Sequence, residues 1–506
     1  MPKLDLPYGF KDPVRLLHRL HVVAEPKWVR RGELRALKLF HEMAARVPAY
    51  KDFLKSNKFN SDKVKTIQDF KLIPVIDKDN YLRRYPKEML VWDGDFSGKK
   101  WVISSTSGST GEPYYFPREE SQDWQYAVLA EMYLRHNFDI DKKSTLYIVA
   151  FPMGAWIGGL FTYEALKILA ERGDYDLSVI TPGIHKIEVI NAIKQLGSKF
   201  DQIIIGSYAP FLKDILDDGT RAGIKWRDYD LGFIFSAESF SENFRDFIIK
   251  RAGLKNPLSC SLNHYGTVDM GTMAHETPIS IAVRRRAFAD DKLRQLLFPE
   301  PVKQPTFAQY IPELFYFEEQ DYNLICSAYS GIPLVRYNLK DYGGLCTKQQ
   351  VINALEQTGQ SVDSLLHRDK INKKSWNLPF VYVYERNDFS ISYYAFLVYP
   401  DTIRRALQNH KLHKYMTGKF TALVEYDNDG RQKLKVHAEL RFGQKPMPSL
   451  IQKVNKLVHD SLFNDSSEYR ELFRMIGEVS KPEIITWPYE DPTYFKPGTK
   501  QKWVIK

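Results

Sequence analysis

Cysteine is scarce in this 506-residue chain. Cys260, Cys326 and Cys346 are too few for a disulfide framework and too scattered for a CxxC metal site. Long apolar runs are also missing. The longest stretch without charge, Ser144 to Tyr163, contains Pro152, Gly154, Gly158 and Gly159, so it reads as a strand and a loop and not as a membrane span. The first twenty residues are charged and carry prolines, with no apolar core and no small-residue cleavage site. A reduced, cytoplasmic protein is the expectation. Lys and Arg number 72 against 62 Asp and Glu, for a net charge of +10, yet no basic tract is long enough to favour nucleic acid. A GxxxxGK[ST] loop is absent, which disfavours a P-loop NTPase.

What is present is an ordinary globular balance of 43% hydrophobic, 14% aromatic and 26% charged residues. Leu34, Leu37, Phe40, Ala44 and Val47 predict an amphipathic helix over 34–47, stopped by Pro48. From about residue 100, short apolar strands alternate with helical patterns: strands at 101–104, 146–151, 179–181, 202–206 and 231–236, helices at 119–137, 160–172 and 240–252. Such repetition predicts an α/β architecture with mainly parallel sheets, whose ligands gather at the carboxyl ends of the strands. Near residue 388 the texture becomes a compact α+β mix, so the expected division is a large domain over 1–388 and a small one over 389–506. The small one carries 19 Lys+Arg and 13 Asp+Glu, hence +6 of the total charge, which suits an anionic partner or a solvated basic face.

Chemistry concentrates first in Ser104-Ser-Thr-Ser-Gly-Ser-Thr-Gly-Glu-Pro113, six hydroxyl residues and two glycines between a strand and a helix. Gly108 and Gly111 permit tight turns that converge backbone N–H groups on an anion, and Ser107, Ser109 and Thr110 add donors. A polar surface loop is the plain alternative.

TSGSTGEP resembles the phosphate loop of the acyl-adenylate-forming enzymes, the AMP-dependent synthetase and ligase superfamily. Val47-Pro-Ala-Tyr50, Ile73-Pro74 and Tyr85-Pro86 are similar to the phenylacetate–CoA ligase branch. The resemblance continues in chain order. Phe235-Ser-Ala-Glu238 resembles the strand end that lines the adenine, implicating Ala237 and Glu238. Asn263-His-Tyr-Gly-Thr-Val-Asp269 resembles YGxTE, implying that Tyr265 stacks on adenine, Gly266 lets the backbone approach, Thr267 faces phosphate and Asp269 holds Mg2+. Pro333 to Asp341 resembles RYxxGD, with Asp341 as the ribose acceptor and Arg336 beside it. Glu385-Arg-Asn-Asp388 resembles the arginine and hinge positions, here Arg386 and Asp388. Gly498-Thr-Lys500 resembles the catalytic Gly-Lys loop, with Thr499 inserted. The nucleotide set is thus Ser104, Thr106, Ser107, Gly108, Ser109, Thr110, Gly111, Ala237, Glu238, Tyr265, Gly266, Thr267, Asp341 and Arg386, and the catalytic pair is Lys500 and Asp269.

The resemblance implies a mobile C-terminal domain, ATP, Mg2+ and a carboxylic acid as reactants, coenzyme A as co-substrate and no zinc, because 273–317 lacks a cysteine cluster. Phe151, Gly154, His264 and Gly271 would line a pocket for an apolar or aromatic acyl group. Family members are often dimers, so a homodimer is one expectation. An amine acceptor and a non-catalytic nucleotide-binding role stay open. Singly, each residue has a plainer reading: Tyr265 is one of 30 tyrosines, and Lys500 a tail lysine. Departures are visible too. Glu112 replaces a lysine, Val268 a hydroxyl residue, Asp269 a glutamate and Lys340 a glycine.

Overall fold

Trp28, Ala36, Leu39, Phe40 and Met43 recur at helical spacing and are all buried, which makes Glu25–Arg46 a single helix packed along one face. It starts earlier than 34–47, with Pro26 in its first turn. It ends at Arg46 because Pro48 opens the next helix, Pro48–Ser56. This computed structural model describes residues 6–7, 9–105, 114–237, 240–299, 304–368, 371, 374–386, 391–394, 396–398, 400–407, 409–427, 429–495 and 504.

The described chain falls into two compact units, one comprising residues up to 105 and 115–386, the other Tyr114 and the residues from 391 onward. In the larger, β1 (Val102–Ser105) and β2 (Tyr115–Arg118) form an antiparallel pair. The strands that follow are β3 (Thr145–Ala150), β4 (Leu177–Ile180), β5 (Gln202–Ser207), β6 (Leu231–Phe235), β7 (Ser261–Thr267) and β8 (Gly271–His275). After them come β9 (Thr306–Gln309), β10 (Tyr316–Gln320), β11 (Asn323–Ala328), β12 (Leu334–Cys346) and β13 (Phe380–Arg386). From β3 on they make one eleven-strand sheet, in the order β10-β11-β12-β13-β9-β8-β7-β6-β5-β3-β4.

The expected parallel sheet is its β4-β3-β5-β6-β7 half, where every pairing is parallel. Strands β3, β5 and β6 are buried along their whole length, as strands covered on both faces are. From β7 onward each pairing is antiparallel. Short connections force this at β7–β8, β10–β11 and β11–β12. Asp321 and Tyr322 join β10 to β11 with both φ values positive (52° and 58°), the geometry of a tight hairpin, and a crossover helix has no room there.

Strand β12 matters most for the site. Its 13 residues are bent by register shifts against both neighbours, and Arg336 and Lys340 take φ of 50° and 60°. The segment from Lys71 to Leu82 is docked on it: Ile76 N–H donates to the Arg336 carbonyl at 3.1 Å, and Asn338 N–H to the Ile76 carbonyl at 2.8 Å.

In the smaller unit, β14 (Ile391–Tyr393) and β15 (Phe396–Val398) form a hairpin. β16 (Met416–Tyr426), β17 (Gln432–Leu440) and β18 (Glu483–Trp487) form a sheet carrying helices Pro400–Leu407 and Pro448–Asp465. Val504 bridges to Ala422 of β16 in parallel. Among the described residues no helix is long and apolar enough to cross a membrane.

Candidate active site

Strand β7 alternates faces, and its two central side chains go separate ways. Tyr265 stacks on Phe317 at 6.2 Å between ring centroids and donates its hydroxyl to Asp341 Oδ2 at 2.6 Å. Two residues from separate motifs, 76 positions apart, therefore meet. Arg386 stands directly opposite Asp341 in the β12–β13 pairing, so the backbone of a third motif reaches the same point; the Arg386 side chain lies outside the described residues.

His264, on the other face, is buried among Tyr126, Tyr133 and His275, and its Nε2 has no partner among the described residues. Burial, reinforced by His275, holds its pKa well below the usual imidazole value, so the ring is neutral. Phe161 lies 4.5 Å from Tyr126 and directly beneath Gly271, whose Cβ would stand 2.7 Å from that ring. The structure thus joins His264 and Gly271 in one aromatic cluster. Phe151 packs elsewhere, against Tyr208, Gly158 and Gly206. Gly154, with φ of 81°, has open space where a Cβ would be.

Gly266 is needed for packing within the sheet. A Cβ there would sit 2.6 Å from the Gly271 carbonyl oxygen, so the glycine lets β7 and β8 close on each other. Thr267 Oγ1 is buried with no hydrogen-bond partner among the described residues. Ala237, just past β6, holds a left-handed φ of 75°, a strained backbone at the strand end that the resemblance assigns to adenine.

Ser104 accepts a hydrogen bond from Arg118 Nη1 at 3.1 Å, and Arg118 is paired with Asp123 at 2.7 Å, so this hydroxyl is engaged at the base of the loop. Thr106, Ser107, Gly108, Ser109, Thr110, Gly111, Glu238, Asp388 and Lys500 lie outside the described residues.

Arg336 is a correction. It is not beside Asp341: it pairs with Glu318 at 3.1 Å and donates to the carbonyls of Lys71 and Ile73, clamping the docked segment to β12. Lys340, in place of glycine, takes the left-handed φ itself. Its ammonium meets Asp79 at 2.8 Å and Asp77 at 3.5 Å. Burial works against that charge, but the two aspartates prevail and hold the lysine above its usual pKa.

Asp269, 7% exposed, accepts a hydrogen bond from the Tyr337 hydroxyl and faces Lys78 Nζ at 3.4 Å. This lysine was invisible to sequence reasoning, because nothing local marks a partner so distant in the chain. The pairing bears on the expected Mg2+. The Asp269 carboxylate already has a cation, the Lys78 ammonium, beside it. Asp269 therefore meets an ammonium at the carboxylate that the resemblance offers to Mg2+.

No protein-family model matches the chain, and no curated protein sequence matches it. Solved structures do. A 2-hydroxyisobutyryl-CoA ligase in complex with 2-HIB-AMP and CoA, in its thioesterification state, aligns over 96% of this chain and 91% of its own at 14% identity, with a TM-score of 0.64. The same ligase in its postadenylation state with 2-HIB-AMP aligns over 97% and 91% at 13% identity and a TM-score of 0.54. In an open conformation with 2-HIB-AMP and CoA it aligns over 97% and 94%, at 13% identity and again 0.54. The chain has the acyl-adenylate-forming ligase fold.

Proposed function

We propose that this protein is an ATP-dependent carboxylic acid ligase of the phenylacetate–CoA ligase-like kind, which activates an apolar or aromatic acid as acyl-AMP and passes the acyl group to coenzyme A. The observation that carries the reading is the meeting of Tyr265, Asp341 and the Arg386 backbone at one point on the sheet. These residues come from three separate stretches of the chain, each of which carries one of the resembling motifs.

A carboxylate is a poor electrophile. Its oxygen attacks the α-phosphorus of ATP, pyrophosphate leaves, and the mixed anhydride that results is reactive at its acyl carbon. Charge builds on phosphoryl oxygens during the first step, so preorganised donors accelerate it. In this reading the hydroxyl loop with Thr267 supplies those donors, Tyr265 and Asp341 hold adenine and ribose, and Lys500 bridges acyl and phosphoryl oxygens. Asp269, with the Lys78 ammonium at its carboxylate, faces the phosphoryl groups in this reading. The domain division at 388 belongs to the proposal: rotation about Asp388 withdraws Lys500 before the thiol sulfur attacks the acyl carbon and AMP leaves. His264, Tyr126, Phe161 and Gly271 supply an aromatic wall for the acyl group. The three cysteines form no disulfide, which suits a reducing compartment such as the cytoplasm.

The test is acid-dependent exchange of labelled pyrophosphate into ATP across aryl, fatty and amino acids, with product mass read with and without coenzyme A. An acyl-CoA product is expected. Lys500→Ala should slow exchange by ~100-fold or more while ATP still binds, the scale seen when a single charge-stabilising donor is removed. A product indifferent to coenzyme A would move the assignment to an amide-forming ligase. ATP binding without exchange for any acid would leave a non-catalytic nucleotide binder.

A further inference from the structure

The acid that the fold's resemblance gives to a metal holds a lysine instead, and the surroundings explain why. Lys78 opens a short helical turn, Lys78–Leu82, which Asp77 caps by accepting from the N–H groups of Asp79 at 2.8 Å and Asn80 at 2.7 Å. Backbone bonds from Ile76 and Asn338 fix that turn on β12, so the lysine starts from a rigid base. Its ammonium stands 3.4 Å from Asp269 Oδ1 and 5.9 Å from the centre of the Phe116 ring. Phe116 lies opposite Ser104 in the β1–β2 pair, the two strands between which the hydroxyl loop is strung. Lys78 is the more open member of the ion pair, its side chain 19% exposed against 7% for Asp269.

A buried carboxylate next to a phosphoryl group is repulsive unless a cation stands between them. Here that cation is Lys78. An ammonium has three N–H donors, and the Asp269 contact engages one. Lys340, the neighbouring cation on β12, is committed to Asp77 and Asp79. The segment 104–113 has no Lys or Arg of its own.

We infer that Lys78 is the phosphoryl-binding cation of this site, paired with the acid that the resemblance assigns to a divalent metal, and that Asp269 and Tyr337 are positioning residues that hold it. The inference rests on the nucleotide reading above. Its test is calorimetric titration of adenosine and of AMP into the full chain, each in EDTA and in excess Mg2+, for wild type, Lys78→Met and Lys78→Arg. AMP should bind wild type within about twofold in the two buffers. Lys78→Met should weaken AMP tenfold or more and leave adenosine unchanged, and Lys78→Arg should restore most of the loss. Three results would overturn the assignment: AMP affinity in wild type falling tenfold in EDTA, Lys78→Met binding AMP as wild type does, or adenosine weakening alongside AMP, which would make Lys78 a structural counter-ion. Wild type binding neither ligand is a different failure, that of the nucleotide reading itself, and it would take this inference with it.

Discussion

A single hydroxyl decides whether Asp341 and Tyr265 act as a unit. The phenol donates to a buried carboxylate at 2.6 Å, a charge-assisted bond that fixes the aspartate's orientation and keeps the ring against Phe317. Tyr265→Phe retains the ring and deletes the donor. It should lower stability in urea by about 1.5–3 kcal/mol, the range for losing a hydrogen bond to a charged partner. It should also raise the KM for ATP in pyrophosphate exchange and leave the KM for the acid alone. An unchanged urea midpoint would show that the bond is not made in solution. Two further residues show strain at the same scale. Lys340 and Ala237 both hold left-handed φ values without being glycine, and both adjoin positions that the motifs single out. Lys340 thus holds a left-handed conformation that glycine adopts without strain, and its ammonium is held by two aspartates.

The elements around β7 and β8 are tied together by buried charge. Glu276, just past β8, accepts from Arg245 at 2.7 Å, Arg284 at 3.2 Å and the Asn263 N–H at 2.8 Å, with no exposure at all. Glu242 completes the cluster with Arg245, Arg284 and Arg285. Burial pushes its carboxyl up, the arginines more than reverse that, and it ends below its usual value. Arg284 also donates to the Phe240 carbonyl, so the cluster fastens the chain just beyond Ala237 to helix Pro278–Ala287. Glu276→Gln keeps the shape and removes the charge, leaving two buried guanidiniums short of compensation. It should cost about 3–5 kcal/mol by chemical denaturation. A loss below 1 kcal/mol would mean the cluster adds little. None of this network could be read from sequence, because Arg245, Glu276 and Arg284 look like ordinary surface charges until the fold buries them. Apolar strands such as β3, β5 and β6 were legible, since strands buried on both faces are nearly all hydrophobic. The antiparallel half was not, because polar residues such as Asn338 and Lys340 interrupt β12 and blur its period. The site followed the same rule. Tyr265 and Asp341 carried motif signals, whereas Lys78 reaches Asp269 only through the docking of its turn on β12.

At the scale of the whole molecule, the described groups that the nucleotide reading uses are unevenly divided. Tyr265, Asp269, Asp341 and Lys78 all belong to the larger unit, and the Lys500 loop belongs to the chain beyond residue 388. Binding and chemistry should therefore separate when the chain is cut. A fragment ending at residue 388 keeps the eleven-strand sheet and the β12-docked turn. It should bind adenosine with an affinity within about threefold of the full chain, since distant and independent sites are nearly additive. The same fragment should exchange no pyrophosphate with any acid, because it lacks Lys500, the cation proposed to join acyl and phosphoryl oxygens. Titration calorimetry reads the first outcome and isotope exchange the second. Exchange at the full-length rate by the fragment would remove Lys500 from the mechanism, while loss of adenosine binding would mean that the nucleoside pocket needs the smaller unit, contrary to the residues assigned to it.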